Sequence, residues 1–113
     1  MKFIQQMKCY ELYAMTIEYS KEAKEELLNI RNFIAQDSAF NATEYTQELV
    51  MRINGMLEFP YIGKVNRTFA RQDIRDLFID GYKIIYKIQL NSIVVLILYK
   101  YNQIDEKKIV VHS

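Results

Sequence analysis

Three observations on this chain predict an α+β fold, a helical hairpin set against a small antiparallel sheet. Two stretches with apolar residues at helical spacing are separated only by Gln36-Asp37-Ser38. Pro60 closes the second of them. Further on, Asp80-Gly81 stands between two runs rich in β-branched and aromatic residues, the pattern of a two-residue hairpin. The resulting order is strand, two helices, then three strands, which segregates helix from sheet instead of alternating them.

Residues 1–13 show no clean period, and residues 1–14 are expected to be an N-terminal extension, with Met15 offering an alternative start; the domain is expected over 15–113. Ala14 to Tyr19 alternates as a half-buried strand does. Ser20 is suited to cap a helix, because its hydroxyl can accept an orphan N–H of the first turn. Ala23, Leu27, Ile30 and Ile34 then fall on one face, and Glu22 suits the positive end of the helix dipole. These features predict a helix over about 21–36. A second helix is expected from near Ala39 to Glu58, with Ala42, Tyr45, Leu49, Ile53 and Met56 facing inward. Pro60 cannot continue it and biases Phe59 away from helical angles. So short a connection forces the two helices antiparallel.

Strands are expected near 73–79, 82–90 and 93–101. Asp80-Gly81 supplies the positive φ pair of a type I′ turn, and Asn91-Ser92 marks a softer reversal. In the middle strand Ile84, Tyr86 and Ile88 share one face, with Lys83, Ile85, Lys87 and Gln89 on the other. The first face must be buried, and the hairpin is its expected cover. Gly63 is expected to end the turn after Pro60. Ile109-Val110-Val111 is a candidate short terminal strand.

With 113 residues, half of them hydrophobic and about a quarter charged, the chain has the length and composition of one globular domain. The longest apolar run, Ile93 to Tyr99, falls far short of the roughly 20 residues that a membrane helix needs. Polar residues interrupt the N-terminal segment, so no signal-peptide core is expected. Cys9 is the sole cysteine, which excludes an internal disulfide and suits a reducing, cytoplasmic setting. Charge is uneven along the chain. Residues 1–59 carry six basic and nine acidic side chains, whereas 60–101 carry seven basic and three acidic. A basic C-terminal half under a net charge of +1 suggests a local anion-binding surface.

Most familiar catalytic sets cannot be assembled. His112 is the single histidine and lies beside the C-terminus, a poor position for a Ser-His-Asp or Cys-His arrangement. One histidine and one cysteine do not make a common zinc site, so neither metal nor cofactor is expected. Gly55, Gly63 and Gly81 are too widely spaced to cradle a phosphate. The remaining set is Lys64, Arg67, Arg71 and Arg75, with Tyr99, Lys100 and Tyr101 ending the last strand. Arginine grips phosphate bidentately, lysine supplies a point charge, and tyrosine offers a ring and a hydroxyl. Such groups bind RNA or stabilise charge at a scissile phosphate. The competing reading pairs the arginines with Asp73 and Asp76 and packs the tyrosines at a sheet edge.

Three segments carry a family resemblance: Pro60-Tyr61-Ile62-Gly63, then Ile74-Arg75-Asp76-Leu77, then Gly81-Tyr82-Lys83-Ile84-Ile85-Tyr86. With the element order, from about Met15 to Tyr101, they resemble the RelE/ParE superfamily of type II toxins. The resemblance implies a growth inhibitor neutralised by a cognate antitoxin, with operator DNA bound only through that antitoxin. It implies one of two targets, DNA gyrase or ribosome-bound mRNA, the latter cut as an RNA endonuclease would. Arg75, Lys64, Arg67 and Tyr101 become the catalytic candidates, and Arg71, Tyr99 and Lys100 the target-binding ones. The chain departs from the RelE-like pattern after its last strand, where Asn102-Gln103-Ile104-Asp105 stands in place of basic residues and Ile109 in place of a tyrosine. Tyr101-Asn102-Gln103 likewise replaces the His-x-Arg-Arg-like tail of ParE-like toxins. The helical hairpin and the Pro-x-x-Gly turn lean to the ParE-like side, hence to gyrase inhibition and plasmid stabilization. An inactive partner in a repressor complex is the alternative of another class.

Overall fold

A computed structural model describes residues 16–100. The candidate strand at 109–111, Tyr101 and His112 lie outside the described residues, as does the 1–14 segment.

Strand β1 (Thr16–Tyr19) leads into helix α1 (Lys21–Ala35) and helix α2 (Ala39–Met56). A single 3-10 turn at Pro60–Ile62 follows. Strands β2 (Lys64–Val65), β3 (Ile74–Ile79), β4 (Tyr82–Ile88) and β5 (Ser92–Lys100) complete the sheet, whose order is β1-β5-β4-β3-β2. The expected meander is present as β3–β4–β5. It is extended on one edge by the two-residue β2, antiparallel to β3, and on the other by β1, parallel to β5. A two-residue strand is too short to leave a periodic signal, which is why β2 is invisible to pattern reading.

Both helix starts are capped by serine. The Ser20 hydroxyl accepts from the Ala23 N–H at 3.0 Å, and the Ser38 hydroxyl from the Asn41 N–H at 3.3 Å. Each bond satisfies one of the N–H groups that a helix start leaves orphaned. Ser20 also donates to the carbonyl of Leu96. That residue is the extra one in β5: Ile85 pairs with Ile97 but Tyr86 pairs with Val95, so the strand bulges there. The N-cap of α1 is thus bonded to the sheet at the bulge.

The hairpin lies over one sheet face, with α1 above β5 and α2 packed against α1. Ala23, Ile30, Leu49, Ile53 and Leu57 enter a cluster with Leu77, Ile84, Tyr86, Ile93, Val95 and Leu98. All five helical positions expected to face inward on α2 are buried or half-buried. The opposite sheet face departs from expectation. Ile85 is fully buried and Lys87 is 6% exposed, and both belong to a face that alternation assigns away from the helices. A second apolar cluster of Ile74, Ile85, Leu96 and Tyr99, with Phe69 packed against it, accounts for this. The sheet is therefore apolar on both sides.

Asp80 and Gly81 both adopt positive φ, 52° and 80°, and Ile79 pairs with Tyr82 across them. This is the turn the dipeptide predicts. Gly63 ends the 3-10 turn at Pro60–Ile62, as expected. Its φ of −78° and ψ of 167° are open to any residue, so turn geometry is not what calls for glycine there.

Candidate functional site

The three motif segments converge on one construction. Alternation puts Arg75 and Leu77 on the helix-facing side of β3, and Tyr82 and Tyr86 on the same side of β4. The strand register then sets Arg75 directly opposite Tyr86. From these positions both side chains reach the turn at 60–63.

Tyr86 is fully buried, and its hydroxyl donates to the Pro60 carbonyl at 2.6 Å while accepting from the Gly63 N–H at 3.0 Å. Burial raises its phenol pKa, with the Gly63 N–H and Arg75 acting in the opposite sense. The need for glycine follows. A Cβ at position 63 would stand 2.5 Å from the Asp76 carbonyl oxygen and 2.7 Å from the Tyr86 hydroxyl. Only a residue without a side chain lets the turn approach β3 and β4 so closely.

Arg75 holds the turn from the other side. Nη1 donates to the Gly63 carbonyl at 3.0 Å and, more weakly, to the Tyr61 carbonyl at 3.5 Å. Nε donates to the Gln72 carbonyl and Nη2 to Gln72 Oε1, both at 3.0 Å. The guanidinium also lies 4.7 Å from the centroid of the Tyr61 ring, a cation–π contact worth about 0.5–1 kcal/mol where solvent has access. Arg75 therefore joins the turn at 60–63 to the loop at 72. Lysine would not replace it, because the three N–H groups of an ammonium share one nitrogen and cannot reach acceptors spread around the edge of a planar guanidinium.

The other sheet face carries a polar group of its own. Asn66 is completely buried; its Nδ2 donates to Asp76 Oδ1 at 2.6 Å, and its Oδ1 accepts from the Phe69 N–H at 3.0 Å. Asp76 Oδ2 faces Lys83 Nζ at 3.5 Å, with both side chains about one-eighth exposed. Arg71 grips Asp73 through two bonds of 3.1 and 2.8 Å, and chiefly that contact lowers the Asp73 pKa.

The predicted site residues do not gather in one cleft. Arg75 is on the helix-facing side of the sheet, whereas Lys64, paired with Asp76 across β2 and β3, is on the other. Arg71 is engaged with Asp73, which is the pairing the competing reading anticipates. Arg67 and Lys64 are exposed. Tyr99 is 5% exposed and packed in the second cluster, and Lys100 approaches the Tyr82 ring at 5.8 Å. Tyr101 lies outside the described residues. Sequence reasoning passed over Tyr86, Asn66, Asp76 and Lys83 as site residues. Tyr86 was signalled by its place in the third motif, but nothing in the sequence marks Asn66 as buried. Among the described residues, no group of three or more His, Cys, Asp or Glu side chains gathers as metal ligands would.

Next to this construction the surface is apolar. Phe59 is 67% exposed, Tyr61 65% and Ile62 46%. The hairpin adds Leu28, Phe33, Phe40 and Met51 as exposed apolar residues, while Tyr45 and Met56 pack against the core.

No curated sequence is significantly similar to the chain. A solved structure described as the chromosomal ParDE TA system from P. aeruginosa is similar in fold, with a TM-score of 0.64 at 14% identity, over 78% of this chain and 97% of that one. The model of a family described as the ParE toxin of the type II toxin–antitoxin system, parDE, matches residues 17–99. That span contains the helical hairpin, the clamped turn and the whole β2–β5 sheet up to Tyr99, and the chain belongs to the ParE toxin family.

Proposed function

We propose that this chain arrests growth by binding DNA gyrase, as a toxin held inactive by a cognate antitoxin in the cytoplasm. The observation that carries this reading is where the cations are spent. Arg75 donates to the chain's own carbonyls, Arg71 to Asp73, and Lys83 faces Asp76. Stabilising a scissile phosphate requires donors already aimed at an empty position. Here a phosphate would first have to displace internal partners. A toxin that works by docking on a protein has no such requirement, and needs only a rigid surface.

Antitoxin recognition fits the hairpin. Leu28, Phe33, Phe40 and Met51 offer exposed apolar anchors to an amphipathic segment. Operator DNA is then bound through the antitoxin and not by the toxin itself.

The alternative, cleavage of ribosome-bound mRNA, is favoured by Lys64, Arg67 and Tyr61, all three of which are exposed. Supercoiling by purified gyrase, run beside cleavage of message on ribosomes, separates the two. Inhibited supercoiling with intact message supports the proposal, and full supercoiling with cut message rejects it. Growth that continues on induction without the antitoxin gene would instead favour an inactive partner of a repressor complex.

A further inference from the structure

We infer that the turn at 59–64 is the part of this toxin that enters its protein target, and that Arg75 and Tyr86 are positioning residues that hold it in shape. The inference rests on the gyrase reading and names the contacting surface. Three large apolar side chains, Phe59, Tyr61 and Ile62, are between 46% and 67% exposed within four residues. Apolar exposure this dense is a feature of interaction sites. The backbone beneath them is held from two sides. The Tyr86 hydroxyl binds Pro60 and Gly63, and the Arg75 guanidinium binds Tyr61, Gly63 and Gln72. A loop fixed before binding loses little conformational freedom when it docks.

Shape and charge define the partner. The exposed apolar residues of the hairpin, Leu28, Phe33, Phe40 and Met51, are left to the antitoxin, whereas a projecting turn already held in shape suits a concavity on a folded protein. Arg71 and Asp73 neutralise each other, which leaves the exposed Lys64 and Arg67 as the cations that follow the turn, with Glu58 before it. The matching surface is an apolar pocket rimmed by Asp or Glu side chains, since complementary charge at the rim of an interface speeds and orients docking.

The test uses the full chain and purified gyrase. Phe59→Ala and Ile62→Ala remove exposed side chains and leave both clamps in place; Arg67→Glu reverses a rim charge; Tyr86→Phe keeps the surface residues but releases the turn. Inhibition of supercoiling is expected to weaken roughly tenfold or more in the Phe59→Ala/Ile62→Ala double variant, with thermal unfolding and antitoxin capture unchanged. Arg67→Glu is expected to weaken inhibition and flatten its dependence on salt. Tyr86→Phe is expected to weaken inhibition at temperatures where the protein is still fully folded. Wild-type inhibition preserved in the double variant overturns the inference while leaving the gyrase reading intact. Loss of antitoxin capture with retained inhibition also overturns it, since the turn would then belong to the antitoxin interface. Should wild-type protein leave gyrase unaffected, the gyrase reading fails. The double variant is then scored for growth arrest: relief of arrest retains the turn as the target contact, and undiminished arrest rejects it.

Discussion

Gly63→Ala is the sharpest test of the clamp, because the structure states what the added methyl would meet. Its carbon would lie 2.5 Å from the Asp76 carbonyl oxygen and 2.7 Å from the Tyr86 hydroxyl. The first neighbour is strand backbone and cannot turn aside, so the turn itself must retreat. Overpacking of this kind costs about 1–3 kcal/mol. The retreat also breaks the two hydrogen bonds of the Tyr86 hydroxyl, worth about 1 kcal/mol each and more where a buried N–H is left unpaired. The combined cost is about 3–5 kcal/mol. At about 4 °C or more per kcal/mol, the melting midpoint drops by roughly 12 °C or more. Urea denaturation measures the effect directly, with the slope of the transition unchanged. Tyr86→Phe alone should cost about 2 kcal/mol. In its background Gly63→Ala should cost about 1–2 kcal/mol less than in wild type, because the hydroxyl bonds are already gone. Gly55→Ala is the contrasting control: position 55 is an exposed helical site with nothing within 4 Å of the added carbon, so alanine should stabilise by about 0.5–1 kcal/mol. Gly63→Ala within about 0.5 kcal/mol of wild type, the range of ordinary surface changes, would refute the close approach on which the clamp depends.

Other consequences follow from single side chains. Arg75→Lys keeps the charge but serves fewer carbonyls, so limited trypsin digestion should cut after Lys64 or Arg67 faster than in wild type, while Arg71→Lys should leave that rate unchanged. Burial pushes the Tyr19 phenol up to about 12 from its ordinary 10, and its hydroxyl donates to Asn54 Oδ1. A proton held more tightly in the folded state gives stability that is complete below pH 10 and lost as pH rises toward 12. Alkaline unfolding should therefore begin near pH 10, and Tyr19→Phe should remove part of that slope. Asp73 has the opposite sign. The hydrogen bonds from Arg71 lower its pKa, so the pair's contribution is complete above the ordinary carboxylate value and fades as pH falls through the lowered one. Asp73→Asn should flatten the acid limb of stability against pH.

How far the sequence reveals this molecule depends on whether a feature is periodic. The two helices declare themselves through Ala23-Leu27-Ile30-Ile34 and Ala42-Tyr45-Leu49-Ile53, and their serine caps stand where local chemistry puts them. Asp80-Gly81 predicts its own turn because positive φ at adjacent positions is a demand that few residues meet. β2 has only two residues and no period. The bulge at Leu96 shifts the alternation of β5 by one and conceals that the far sheet face is also apolar. The burial of Asn66 arises from the loop it caps and from Asp76, ten residues away. The site behaved similarly. The motifs were visible, but their chemistry was not. Arg75 looks like an anion-binding residue until the strand register places it opposite Tyr86, where the nearest acceptors are carbonyls of its own chain.

We propose that this ParE-family chain acts by docking on its target and not by cutting RNA. The most direct measurement is gyrase-catalysed supercoiling with purified toxin, titrated alone and after addition of the cognate antitoxin, with ribosome-bound message tested in parallel. Supercoiling should fall with toxin concentration and recover with antitoxin, and the message should stay intact. Supercoiling that is unchanged at every toxin concentration, together with message cut on the ribosome, would contradict the proposal.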